Sequence, residues 1–234
     1  MRRNKVVLWD FDGTLAYRPG MWSGDLQEAI HAFDATRNIS LEEIRPLLQT
    51  GFPWHTPEIP HPETAAPDVW WEHVYRSVFA DALGHFGYDA QQARAIAERA
   101  RERFVDPSSW RVFDDVPVVL ADLARAGWRH IIVSNHVPEL PAITRRLGLG
   151  DVVTTIVNSA ACGYEKPHPE IFSVARKVAG HAEALWMVGD NPVADIAGAA
   201  NAGIDGILVR TESPDVPRRC ATLYDVVRIV EPPS

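Results

Sequence analysis

The sequence predicts an α/β protein: a doubly wound parallel sheet with an α-helical domain inserted after the first strand. Two observations carry the sheet. Strand-length runs that are apolar throughout recur along the chain, and helix-period stretches closed by glycine separate them. A third observation carries the insertion, because residues 18–110 hold several helical patterns but no convincing buried strand. At 234 residues the chain has room for one large or two modest domains, at roughly 100–200 residues each. The expected division is a discontinuous core of residues 1–17 and 111–234 and a helical cap of residues 18–110.

The first strand is expected at residues 6–9, Val-Val-Leu-Trp, behind the basic stretch of residues 1–5. Asp10 ends this run too early for an export signal or a membrane span, so the stretch reads as a charged lead-in to a buried strand of a cytoplasmic protein. Within the insertion, helical patterns cover residues 24–35, 41–48, 69–86 and 90–104. Residues 51–67 form a loop rich in proline, histidine and glutamate, long enough to suggest function or motion. The chain returns to the core near Trp110. Helices are then expected at 116–126, 138–147, 169–179 and 195–202, ending at Gly127, Gly148, Gly180 and Gly203. The strands among them fall at 131–133, 152–157, 185–188 and 207–209. Such alternation makes a parallel sheet whose ligands sit at the carboxyl ends of the strands.

The formal net charge of −8 gives a field that repels DNA, RNA and anionic lipid, and no long basic tract offsets it. Neither a nucleic-acid polymer nor a membrane is therefore an expected partner. Cys162 and Cys220 lie far apart among ordinary residues, which points to free thiols in a reducing compartment.

The chemistry begins where the first strand ends, at Asp10-Phe11-Asp12-Gly13-Thr14-Leu15. Side chains alternate along extended backbone, so Asp10 and Asp12 point the same way and repel unless a cation or a proton lies between them. Gly13 permits a sharp exit. At the ends of later strands stand Ser134-Asn135, facing a helix N-terminus, then Lys166-Pro167, then Gly189-Asp190 with Asp195 five positions further on. Each taken alone has an ordinary reading as a cap or a solvated turn. Their joint placement at one rim of one sheet is what points to a site. Carboxylates with room for water suit Mg²⁺, and a hydroxyl and a lysine supply a donor and a fixed charge for phosphoryl oxygens. Phosphoryl transfer requires that kind of positioning and charge stabilisation, and a carboxylate can serve as its nucleophile.

These residues resemble the haloacid dehalogenase-like hydrolase superfamily, in the branch with a helical cap inserted between its first two motifs. The resemblance rests on Asp10 to Leu15, Val133-Ser134-Asn135, Glu165-Lys166-Pro167, and Gly189-Asp190 with Asp195. It implies a Rossmann-like core, Mg²⁺ as cofactor and a small phosphorylated metabolite as substrate. It makes Asp10 the nucleophile and Asp12 the acid that protonates the leaving oxygen and then activates water. It assigns Mg²⁺ to Asp10, the Asp12 carbonyl and Asp190. The phosphoryl group falls to Ser134, the Asn135 amide and Lys166, with Asp195 orienting the lysine or a metal-bound water.

Dehalogenases of this fold lack the second acid, which disfavours that reaction here. Phosphonate-cleaving relatives need a cap lysine, whereas the lysines of this chain, Lys5, Lys166 and Lys177, all lie outside the insertion. A phosphomonoester hydrolase is expected, with a phosphomutase on the same aspartyl-phosphate as the alternative. For specificity the candidates are Phe52, Trp54 and His55 in the cap loop, and Arg18 at the entry to the cap. Trp54 also reads as cap core with Trp70 and Trp71, and Arg18 equally as a surface arginine.

Overall fold

The computed structural model describes residues 4–61 and 66–231. The first three residues of the basic lead-in and residues 62–65 of the expected 51–67 loop lie outside this range.

Six strands form one parallel sheet in the order β5, β4, β1, β6, β7, β8. They are β1 (Lys5–Trp9), β4 (Trp128–Ser134), β5 (Val153–Asn158), β6 (Ala184–Gly189), β7 (Asp205–Val209) and β8 (Arg219–Cys220). Alternation along β1 feeds two cores. Val6 and Leu8 pack with Ile131, Val133 and Met187 against α9 (Pro169–Ala179) and α10 (Gly198–Asn201). Val7 and Trp9 pack on the other face, in one cluster with α6 (Val116–Arg125), α7 (Leu140–Arg146), α8 (Ser159–Cys162) and α11 (Leu223–Val230). Both faces are covered, which is why these strands read as continuous apolar runs. Each fully buried Val, Leu or Ile on them contributes roughly 1.5–3 kcal/mol of transfer free energy.

Between β2 (Ala16–Tyr17) and β3 (Arg111–Val112) the chain builds a helical segment. Its elements are α1 (Met21–Phe33), α2 (Leu41–Ile44) running into a 3₁₀ turn, α3 (Pro67–Val74), α4 (Ala80–His85) and α5 (Ala90–Val105). A π-helical stretch, Tyr75–Phe79, joins α3 to α4 within the expected 69–86 helix. The helix starts have local causes: Ser40 and Glu43 form a capping box on α2, and Asp89 and Gln92 form another on α5. Helix α1 begins three residues before the expected start, which brings Trp22 onto its first turn. There its ring stacks on Phe104 of α5 with centroids 3.8 Å apart.

The ribbon of β2 and β3 closes the base of the segment, pairing Ala16 with Val112. Two further ties hold the segment over the sheet rim. Glu139, just before α7, accepts from Trp71 Nε1 at 3.1 Å and from Arg101 at 3.3 Å, and the His61 amide donates to the Gly163 carbonyl at 2.7 Å. Among the described residues no helix is long and apolar enough to cross a membrane.

Candidate active site

Strand β1 is flanked on both sides, by β4 and β6, so the residue after it emerges at the middle of the carboxyl rim. That residue is Asp10, whose amide donates to the Val188 carbonyl at 2.9 Å before the chain turns away. The turn depends on Gly13, which has φ 76°. A Cβ there would also overlap the Asp190 carboxylate, so the glycine lets the β1 and β6 loops approach each other. Gly189 plays the second part of this role, because a Cβ on it would collide with the Asp195 carboxylate. Behind the turn, Arg210 donates to the Thr14 carbonyl at 3.1 Å and to Asp115 at 2.5 Å, fixing the loop from β7.

Asp10 is 6 % exposed, and its oxygens are contacted from three directions. Lys166 Nζ donates to Asp10 Oδ1 at 2.6 Å, Ser134 Oγ donates to the same oxygen at 3.3 Å, and Thr14 Oγ1 donates to Oδ2 at 3.3 Å. The lysine is held from its own main chain. Asn135 Nδ2 donates to the Lys166 carbonyl at 2.9 Å, and the Lys166 amide donates to Asn135 Oδ1 at 2.6 Å. The second partner of Lys166 Nζ is Asp195 Oδ1 at 2.6 Å, while Asp195 Oδ2 accepts from the Asn191 amide at 3.0 Å. Thus Lys166 is bracketed by two carboxylates, one from the β1 end and one from the turn after β6.

Burial alone would strip the Lys166 charge, but Asp10 and Asp195 reverse that and hold its pKa above the ordinary lysine value. The acids show the complementary strain. Burial first, then the charges of Asp10 and Asp190, push Asp12 well above the usual carboxylate range. Asp190 is raised by burial and by Asp10 and Asp195. Asp195 is raised mainly by burial, against the pull of Lys166. One oxygen from each of Asp10, Asp190 and Asp195 falls within a 4.8 Å cluster. Crowded hard-oxygen donors that resist ionising together are relieved by a small divalent cation, so the donor set fits Mg²⁺.

A residue that the sequence reading passed over completes the polar side. His136 is fully buried, with its ring 5.4 Å from Phe11 and 5.3 Å from Trp110. Its Nε2 faces Asp12 Oδ1 at 3.7 Å, and neither atom has a hydrogen-bond partner. Burial lowers the imidazole to about 3, so it is neutral beside the acid. Its only sequence signal was its place directly after Ser134-Asn135.

These groups open into a cavity of about 390 Å³. Asp10, Asp12, Asn135, Lys166, Asp190 and Asp195 all line it; Ser134 lies behind Asp10. From the helical segment come Met21, Trp22, Trp54, Pro57 and Phe104. Of the four cap candidates, only Trp54 reaches this wall. Phe52 is 2 % exposed and stacks behind Trp54 at 4.6 Å, as core. His55 points to solvent from the same short turn. Arg18 is neither on the cavity nor on the surface. It is buried in an ion pair with Asp25 and donates to the Phe104 carbonyl at 2.8 Å, because its guanidinium caps the end of α5 from inside. Trp22 and Phe104 were not singled out beforehand, since each follows a helical stripe that reads as core.

Compared with known families, the chain matches haloacid dehalogenase-like hydrolase over residues 4–203. Among curated proteins it is 33% identical over 142 residues to human "Haloacid dehalogenase-like hydrolase domain-containing protein 3", covering 60% of this chain and 55% of that protein. It is 32% identical over 157 residues to a phosphoserine phosphatase of Thermus thermophilus, covering 62% of this chain and 60% of that one. The chain thus spans less than two thirds of the length of these relatives. Among solved structures, the HAD-hydrolase YfnB from Bacillus subtilis, bound to magnesium, superposes with a TM-score of 0.73 at 20% identity, covering 98% of this chain and 99% of that one.

Proposed function

Because the chain belongs to the haloacid dehalogenase-like hydrolase family, we propose that it is a Mg²⁺-dependent phosphatase, hydrolysing small organic phosphate monoesters through an aspartyl-phosphate on Asp10. The observation that carries this reading is the placing of two acids with different partners in one cavity. Asp10 sits under the Lys166 charge, whereas Asp12 is pushed towards its protonated form. A carboxylate held under a lysine ammonium, beside a second carboxyl that burial keeps towards its protonated form, is the arrangement needed for a nucleophile next to an acid. The phosphatase names of several relatives agree with it.

In this reading an Asp10 oxygen attacks phosphorus as the bond to the leaving oxygen breaks, and Asp12 gives that oxygen its proton. Asp12 then takes a proton from the water that cleaves the aspartyl-phosphate, which returns both acids to their starting states. Lys166 and Ser134, with the Asn135 amide, bind the phosphoryl oxygens, and Asp195 positions the lysine. Asp10, the Asp12 carbonyl and Asp190 would hold the cation. Mg²⁺, when bound, offsets the negative charge that phosphate and carboxylates bring together. Residues 1–17 and 111–234 act as the catalytic core, and residues 18–110 as its cap.

A phosphate-release assay across simple phosphomonoesters tests this reading. Turnover should need Mg²⁺, stop with EDTA and return when the ion is added back. Release from none of the esters, or full release in EDTA, would overturn it.

A further inference from the structure

We infer that the ester accepted by this site carries an uncharged, ring-bearing alcohol as its leaving group, rather than one bearing a carboxylate or a second phosphate. The inference rests on the phosphatase reading and concerns the part of the cavity that the chemistry does not use.

Among the described residues, every one by which the helical segment lines the cavity is apolar: Met21, Trp22, Trp54, Pro57 and Phe104. The rings are mutually braced. Trp22 stacks on Phe104 with planes 16° apart, Trp54 stacks on Phe52 with planes 9° apart, and the two indoles meet at 5.8 Å. A wall built this way is rigid, presents π faces and favours flat or hydrocarbon surface. Opposite it, Val137 and the half-open Val193 continue the apolar lining.

Cations are missing from this wall for structural reasons. Among the described residues lining the cavity, Lys166 is the sole lysine or arginine, and its ammonium is already bracketed by Asp10 and Asp195. Arg18, at the entry to the segment, is committed to Asp25 and to the carbonyls of Arg103 and Phe104. Residues 51–67 contain no lysine or arginine at all. The acids around the site add negative potential. An anionic leaving group would be desolvated against rings whose neighbouring guanidinium, Arg18 at 4.8 Å from the Phe104 centroid, is already paired with Asp25, and beside four carboxyls. Directional polar partners are also few. Both side-chain atoms of Asn135 are taken by Lys166, and Asn191 Oδ1 accepts from the amides of Val193 and Ala194. A polyhydroxylated leaving group would find little to bond with.

The decisive comparison pairs esters that differ by a remote charge, with Mg²⁺ present throughout. Benzyl phosphate and 4-carboxybenzyl phosphate have similar leaving alcohols, and 2-phosphoglycolate supplies a small anionic one. Benzyl phosphate should have the higher kcat/KM by roughly tenfold or more over both. Equal or faster turnover of either carboxylate would overturn the inference while leaving the phosphatase reading intact. Val193→Lys, at an exposed position on the lining, should narrow the benzyl to carboxybenzyl ratio by about threefold or more. An unchanged ratio would overturn the placing of the leaving group between Val193 and the aromatic wall. If no ester is hydrolysed, the phosphatase reading fails, and calorimetric titration with benzylphosphonate against phosphonoacetate decides the binding question alone. Tighter benzylphosphonate supports the aromatic wall, and equal or tighter phosphonoacetate overturns it.

Discussion

On the sheet side of the cavity stand Asp10, Asp12, Lys166, Asp190 and Asp195, while the helical segment faces them with three aromatic rings, a methionine and a proline. The sheet side is charge-dense and tolerates almost no change of shape, since even a methyl group on Gly13 or Gly189 would strike a carboxylate. Among the described residues the helical side places no charge on the cavity, and its rings serve two purposes, filling the core of the segment and lining the cavity. An isosteric exchange of a carboxylate on the first wall should therefore change chemistry with little cost in stability. On the second it should change stability and leaving-group preference together.

Asp10→Asn gives the largest expected effect. Phosphate release should fall by a factor on the order of 10⁴ or more, because the nucleophile is lost. Lys166 keeps Asp195 as a partner, and the crowding of carboxylates eases, so Tm should move by less than about 4 °C. Large unfolding in this variant would break the division between the walls. Phe104→Ala tests the opposite wall. This ring is 1 % exposed and braces Trp22, so urea denaturation should show a loss of about 3–5 kcal/mol. A stability change within experimental error would show that the rings are not core.

Glu165→Gln probes the edge of the charged wall. Burial raises Glu165 from 4.5 to about 7, against the opposing effects of Ser159 and Lys166. Across that interval the folded protein keeps a proton that the unfolded chain has lost, so this residue makes stability fall as pH rises from about 4.5 to about 7. The variant should remove that slope, gaining on the order of 1–3 kcal/mol over wild type at pH 8 and nothing near pH 4, by urea midpoints at each pH. The smallest effect is expected away from both walls. Arg94 pairs with Glu72 at 2.6 Å, with both side chains more than a third open to solvent, so Arg94→Ala should cost about 0–1 kcal/mol.

The two walls were unequally legible. Asp10, Asp12, Asp190 and Asp195 are legible jointly, because each follows within a few residues of an apolar strand although each alone could be a cap or a turn. The parallel sheet does the rest by bringing the strand ends to one rim. Trp54, in the cap loop, was an expected member of this wall, whereas Trp22 and Phe104 come from two helices, and nothing near either in the chain marks it as facing a ligand rather than a neighbour. His136 escaped for a similar reason: its contact with Asp12 crosses from the β4 loop to the β1 loop. The expectation for Arg18 failed on a contact as well, because only packing places Asp25 and the end of α5 around it. In the fold, the two-residue strands β2, β3 and β8 are too short to show a period. Helix α11 does carry one, at Leu223, Val226, Val227 and Val230, and it lies beyond the segments in which helices were expected.

By itself the sequence determined the order of the elements, the two-faced burial of the central strands and the acids at their ends, because those properties follow from periodicity and from residues adjacent along the chain. Only the tertiary structure decided which side chains share the cavity, that Lys166 lies between two carboxylates, and that the opposite wall is aromatic and uncharged. Those are contacts between distant segments, fixed by how the helices pack over the sheet rim rather than by any local preference of the chain.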